Sequence, residues 1–167
     1  MTGVVKATEP TRRMGVYKRL GDVPDRYRLA QHAAAYEGRD VWSEWVDALE
    51  AAENLTDYRR ERLDRAGRRW VGHVSDRGRH HALARPEDVE TWCVGLLDAV
   101  AIRTAYENYW AQLEAFYRWL QFHTDHPHVY HPVLMAAEAG GAAGELWAHK
   151  IERGRERARE REANGRR

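Results

Sequence analysis

Apolar side chains recur every three to four residues through most of the chain, and no stretch alternates apolar and polar positions with period two. The pattern therefore predicts an all-α protein, an orthogonal bundle of four to six helices. After Pro24, Tyr27, Ala30, Ala34 and Tyr36 line a short helix that Gly38 ends. Val41, Trp42, Trp45, Val46 and Leu49 line a second, acidic helix that runs to about Asn54. Thr56 is a natural cap for a third helix, with Asp57 in its first turn and Tyr58, Leu63, Ala66, Trp70 and Val74 on its apolar stripe. Gly67 and Gly72 weaken that helix and Gly78 ends it, before a loop through His80 and His81. Pro86, Glu87 and Asp88 open a fourth helix striped by Val89, Trp92, Cys93, Leu96 and Leu97. A long helix from about Ile102 to Phe122 turns Tyr106, Trp110, Leu113, Phe116 or Tyr117, and Leu120 inward.

The two ends read differently. Residues 1–24 hold Gly3, Pro10, Gly15 and Gly21 with little periodicity, which predicts a flexible basic arm. Pro127 and Pro132 bracket a turn, and Gly140, Gly141 and Gly144 predict a flexible joint. Beyond Glu145 a run of glutamates and arginines predicts a solvated helix that frays by Asn164.

Charge sharpens this picture. The 167 residues carry a formal charge of only +1, yet the sign alternates by segment. Residues 1–24 carry +3, 25–54 carry −4, 55–85 carry +5, 86–114 carry −5, 115–139 carry −1 and 140–167 carry +3. Such a chain can fold with one basic and one acidic face, or pair its segments with each other. All but three of the 27 basic residues are arginines, whose planar fork suits phosphates and guanine edges. A single cysteine excludes a disulfide scaffold, and Cys93 on its apolar stripe reads as a buried thiol. No apolar run approaches the roughly 20 residues of a membrane span, and no signal-peptide core is evident. A cytoplasmic protein without a membrane partner is expected.

Candidate chemistry is sparse. Arg59, Arg62, Arg65 and Arg69 recur at spacings of three and four and form one ridge on the third helix. Arg103 and Thr104, at the start of the long helix, can meet a phosphate with help from the helix dipole, and Arg118 lies further along it. His123, His126, His128 and His131 crowd into nine residues and are zinc candidates, or else a histidine-rich turn at a helix C-terminus. The inward aromatic residues need no ligand to explain them. No glycine-rich phosphate loop, nucleophile elbow or carboxylate pair is present, and no cofactor is expected.

Three segments and a short exit carry a resemblance. Leu55–Val74 is an amphipathic aromatic–arginine helix, and Arg85-Pro86-Glu87-Asp88-Val89-Glu90-Thr91-Trp92 opens the next. Arg103-Thr104-Ala105-Tyr106, Leu113 and Phe116-Tyr117-Arg118-Trp119-Leu120 mark the long helix, and His131-Pro132-Val133 closes the series. Together they resemble the N-terminal core-binding, or SAM-like, domain of phage-type tyrosine recombinases. Arg85 stands where that family commonly has Thr or Ser, and His131 where it has Asn. The resemblance implies a core-binding domain over 55–133, preceded by a helical extension over 25–54 and followed by a joint and charged tail over 134–167. It also implies a clamp on duplex DNA. The recombinase reaction uses a second domain with an arginine, a lysine, a His-x-x-Arg pair and a tyrosine nucleophile. The 34 residues after Val133 contain no tyrosine, and His149 is followed by Lys150, Ile151 and Glu152.

The expected function is thus a non-catalytic double-stranded DNA-binding protein, an accessory or regulatory factor of a mobile element. The contacts expected are Arg59, Arg62, Arg65, Arg69, Arg103, Thr104 and Arg118. The alternative is a protein–protein adaptor, in which the Trp42/Trp45 helix and the Glu/Arg tail mediate self-association or docking onto a full-length recombinase.

Overall fold

The computed structural model describes residues 6–166, and every regular element among them is helical. The helices are α1 (Ala33–Tyr36), α2 (Val41–Glu53), α3 (Asp57–Asp76), α4 (Pro86–Ala99), α5 (Ile102–Thr104), α6 (Ala111–Phe122), α7 (Pro132–Ala139) and α8 (Gly141–Gly165). A π turn, Ala105–Trp110, joins α5 to α6 in one continuous rod. No described helix is long and apolar enough to cross a membrane.

The helix starts follow local chemistry. Asp40 caps α2 by accepting from the Ser43 N–H at 3.0 Å, and Thr56 caps α3 by accepting from the Arg59 N–H at 3.1 Å. At α4, Pro86 occupies the first turn and Asp88 reaches back to accept from the Arg85 N–H at 2.8 Å. Asn54 ends α2 in the left-handed region, at φ 50°.

One hydrophobic core runs from Met14 to Trp147. Trp42 packs on Trp45 and Phe116 at ring distances of 4.9 and 4.8 Å, and Trp70 packs edge-on against Trp92 at 5.1 Å. Leu63, Ala66, Trp70 and Val74 of the expected α3 stripe are buried, whereas Tyr58 stands 73% exposed. Gly67 is itself part of the core. A Cβ there would lie 2.3 Å from the Trp42 indole nitrogen, so glycine is what lets α2 approach α3.

The segment His81–Ala84 is wholly buried, and side chains from other elements satisfy its polar groups. The His81 carbonyl accepts from Trp70 Nε1 at 3.0 Å and from the Tyr117 hydroxyl at 2.8 Å. That hydroxyl in turn accepts from the Ala84 N–H at 3.0 Å. His128 Nε2 donates to the Ala82 carbonyl at 2.6 Å, and His81 Nε2 accepts from the Val41 and Trp42 N–H groups at the start of α2. The loop therefore ties α2, α3, α6 and the 123–131 segment together.

Four expectations are corrected. The basic arm is not flexible over residues 6–24, where short 3₁₀ turns bury Pro10, Met14 and Val23 and the Thr8 carbonyl accepts from Trp147 Nε1 at 2.8 Å. Residues 1–5 lie outside the described residues. The 27–36 segment is half 3₁₀ and ends in the single α turn of α1, with Leu29 and Tyr36 rather than Tyr27, Ala30 and Ala34 turned inward. In the rod, Tyr109 is buried beside Trp110, a position the expected stripe leaves out, and Tyr106 is only partly buried against the same core. The glycines at 140 and 141 make a tight corner, not a loose joint. Both have positive φ, and the Glu90 carboxylate accepts from the Ala142 and Ala143 N–H groups at 2.7 and 2.9 Å, capping α8. The start of α8 is consequently core, with Leu146 and Trp147 buried, and only its later turns are solvated.

The two glycines of α3 make opposite predictions. Gly67→Ala must displace a buried indole and is expected to destabilise by about 1–3 kcal/mol. Gly72→Ala meets nothing within 4 Å and is expected to stabilise by about 0.5–1 kcal/mol. Urea unfolding of the two variants checks both signs.

Candidate nucleic-acid interface and the histidine turn

The expected arginines fall in three places. Arg62, Arg65 and Arg69 share the solvent side of α3 with Arg68, which is not among the expected contacts. Arg65 and Arg68 both lean on Glu61, at 3.7 and 3.6 Å, and all three side chains are more than half exposed. Arg62 stacks 5.2 Å from the Tyr58 ring and donates to its hydroxyl, while Arg69 lies 5.0 Å from the Tyr109 ring. Exposed Tyr58 thus serves as a platform for a guanidinium rather than as core.

Arg59 sits at the first turn of α3 and pairs with Glu53 at 2.5 Å. It faces Arg118 of α6 across a groove of about 450 Å³, floored by Trp45, Leu49, Trp119 and Phe122. Arg118 lies 3.9 Å from Glu114, but that buried carboxylate is already taken on both oxygens by Lys150, at 2.8 and 2.7 Å. Lys150 lies in the tail expected to be solvated, and burial lowers its pKa while Glu114 opposes the shift.

Arg103 occupies a third site. It pairs with Glu107 one turn on, and Arg153 of α8 reaches the same carboxylate. Arg157 and His149 line the same shallow depression. Thr104 is half-buried where the π turn begins. The structure thus brings Arg62, Arg65 and Arg69 together, joins Arg59 with Arg118, and places Arg103 with residues of α8. The sequence does not show the meeting of Arg103 with Arg153, because it depends on how α8 packs against the rod.

Two further arginines have a structural task. Arg77 and Arg79 both donate to Asp88, which has no exposed surface, at 2.6–2.7 Å. Burial alone would raise the Asp88 pKa, but Arg79, the Arg85 N–H and Arg77 hold the carboxyl down at about 2.

The four histidines of the turn are engaged by protein groups. His131 Nε2 donates to the Glu114 carbonyl at 3.1 Å and its Nδ1 accepts from the Leu134 N–H at 3.4 Å, capping α7. His128 donates to Ala82, and His126 Nδ1 lies 2.6 Å from the Tyr36 hydroxyl. His123 stays near the surface, packed on Trp119. Among the described residues no three His, Cys, Asp or Glu side chains are grouped to hold a metal ion. Burial pushes His128 and His131 down to about 4, and burial with neighbouring His80 does the same to His81. Cys93 is buried, which raises its thiol pKa and leaves it unreactive.

Comparison with protein-family models, with curated proteins and with solved structures returns no match for this chain.

The buried histidines set a pH dependence. An unfolded chain binds their protons at the ordinary value near 6.5, whereas the folded chain keeps His81, His128 and His131 neutral down to about 4. Stability is therefore full above pH 6.5 and is lost as pH falls toward 4, by up to about 1.4 kcal/mol per pH unit for each histidine. The contribution of Asp88 is lost only below about pH 4, so it does not act in this window. Thermal unfolding is expected to begin at least about 5 °C lower at pH 5.0 than at pH 7.5. An unchanged midpoint would count against neutral buried imidazoles.

Proposed function

We propose that this chain is a non-catalytic double-stranded DNA-binding module, a cytoplasmic accessory or regulatory factor of a mobile element, with α3 as the helix that meets the duplex. The observation that carries the reading is the cationic solvent side of α3. Arg62, Arg65, Arg68 and Arg69 fall within eight residues there. The nearest acid that pairs with them, Glu61, is itself 58% exposed. Surface ion pairs of this kind are worth at most about 1 kcal/mol, so a phosphodiester backbone can displace the carboxylate. The aromatic platforms under Arg62 and Arg69 hold two of the forks without neutralising them.

The resemblance to integrase core-binding domains supports the same reading. Its segments lie on α3, on α4, on the rod from α5 to α6 and at the start of α7. They pack on one another through Trp70, Trp92, Tyr117 and His131. Phosphate contacts would dominate affinity, with no sequence preference implied.

Fluorescence anisotropy with a labelled 20-base-pair duplex tests this. At 50 mM NaCl the chain is expected to bind with a dissociation constant on the order of 10⁻⁵ M or tighter, weakening with a log–log salt slope of roughly −3. Arg62→Glu/Arg65→Glu/Arg69→Glu is expected to lose at least tenfold in affinity. Absence of binding at low salt, or an unaffected triple variant, would overturn the assignment.

A further inference from the structure

The groove between α2, the first turn of α3 and the end of α6 has a different character from the α3 ridge. Its floor is apolar, built from Trp45, Leu49 and Trp119, and Phe122 beside it is 81% exposed. A phenylalanine this exposed, next to a half-buried tryptophan, gives a phosphate backbone nothing to bind but offers a large apolar side chain a seat. Both walls carry an arginine, but not with equal charge. Arg59 is neutralised by Glu53, which also lines the groove. Arg118 lies 3.9 Å from Glu114 and shares that single carboxylate with Lys150, which holds both of its oxygens, so one positive charge is left in surplus there.

We propose that this groove docks an acidic amphipathic segment of a partner protein. A large apolar side chain of the partner would rest on Leu49, Trp119 and Phe122, and a neighbouring carboxylate would meet Arg118. Charge complementarity selects the occupant. A neutral apolar segment would leave the surplus charge at Arg118 unmet, and a basic one would add repulsion from it. The bare apolar floor argues against a polyanion without side chains of this kind. The surface is separate from the α3 ridge, so partner and duplex could be held together.

Three labelled synthetic 16-residue helical peptides test the proposal. Each carries a Leu–Trp–Leu stripe at helical spacing, flanked by glutamates, serines or lysines. Fluorescence polarisation on the intact chain is expected to rank them acidic, then neutral, then basic, with at least fivefold between the extremes. Phe122→Ser should abolish binding of all three while leaving duplex binding unchanged, and Arg118→Glu should reverse the order of the acidic and basic peptides. Both side chains are exposed, and circular dichroism verifies that the variants fold. Absence of peptide binding, equal affinity across the three, or indifference to Phe122→Ser would overturn the proposal. Displacement of the acidic peptide by duplex DNA would overturn it in favour of a polyanion face. A dimer in sedimentation that Phe122→Ser dissolves would overturn it in favour of a second copy of this chain.

Discussion

The fold depends on a buried turn of backbone whose polar groups must find partners. His81–Ala84 crosses the interior with no secondary structure of its own, and each unpaired amide or carbonyl there would cost on the order of 1–3 kcal/mol. Trp70, Tyr117 and His128 supply those partners, and the imidazole of His81 supplies two more for the opening of α2. Every element that contributes a bond is thereby fixed relative to the others. The aromatic packing of Trp42, Phe116 and Trp92 fills the space that this geometry leaves.

Charge follows a second logic. The alternating segments do pair: α2 meets the start of α3, Arg77 and Arg79 meet Asp88, and α8 meets the rod at Glu107 and Glu114, with i,i+4 contacts besides. Two acids are buried, and each is met by two cations: Asp88 by Arg77 and Arg79, Glu114 by Lys150 and, loosely, Arg118. Removing the cations from either would leave an uncompensated buried charge. The remaining arginines on α3 lean on exposed acids or aromatic faces, an arrangement that costs little to exchange. Structural and exchangeable cations are thus separated by burial, which net charge per segment could not reveal.

Much of this was legible in the sequence. The helical periods placed α2, α3, α4 and the rod within a few residues, and Thr56 and Pro86 opened their helices as their chemistry requires. The errors share a cause. Gly67, Gly140 and Gly141 were read as weaknesses, because sequence does not show the indole or carboxylate pressed against them. Tyr109 joins the buried stripe in the π turn, where Tyr106 is only partly covered. The arm lacks helical periodicity and the tail is dominated by charge, yet Met14 and Trp147 bury against the core and anchor both. Among the site residues, spacing along one helix was readable. The meeting of Arg59 with Arg118, and of Arg103 with Arg153, required knowing which helices touch.

Two surfaces with separate chemistries are the centre of this account, and NMR mapping of the arginine side chains discriminates between them most directly. Nε–Hε resonances would be followed while an unlabelled duplex is titrated into the isotopically labelled chain. The account predicts shifts or broadening at Arg62, Arg65, Arg68 and Arg69, with Arg59 and Arg118 undisturbed. Perturbation centred on Arg118 and the Phe122 groove, or none at any arginine, would contradict it.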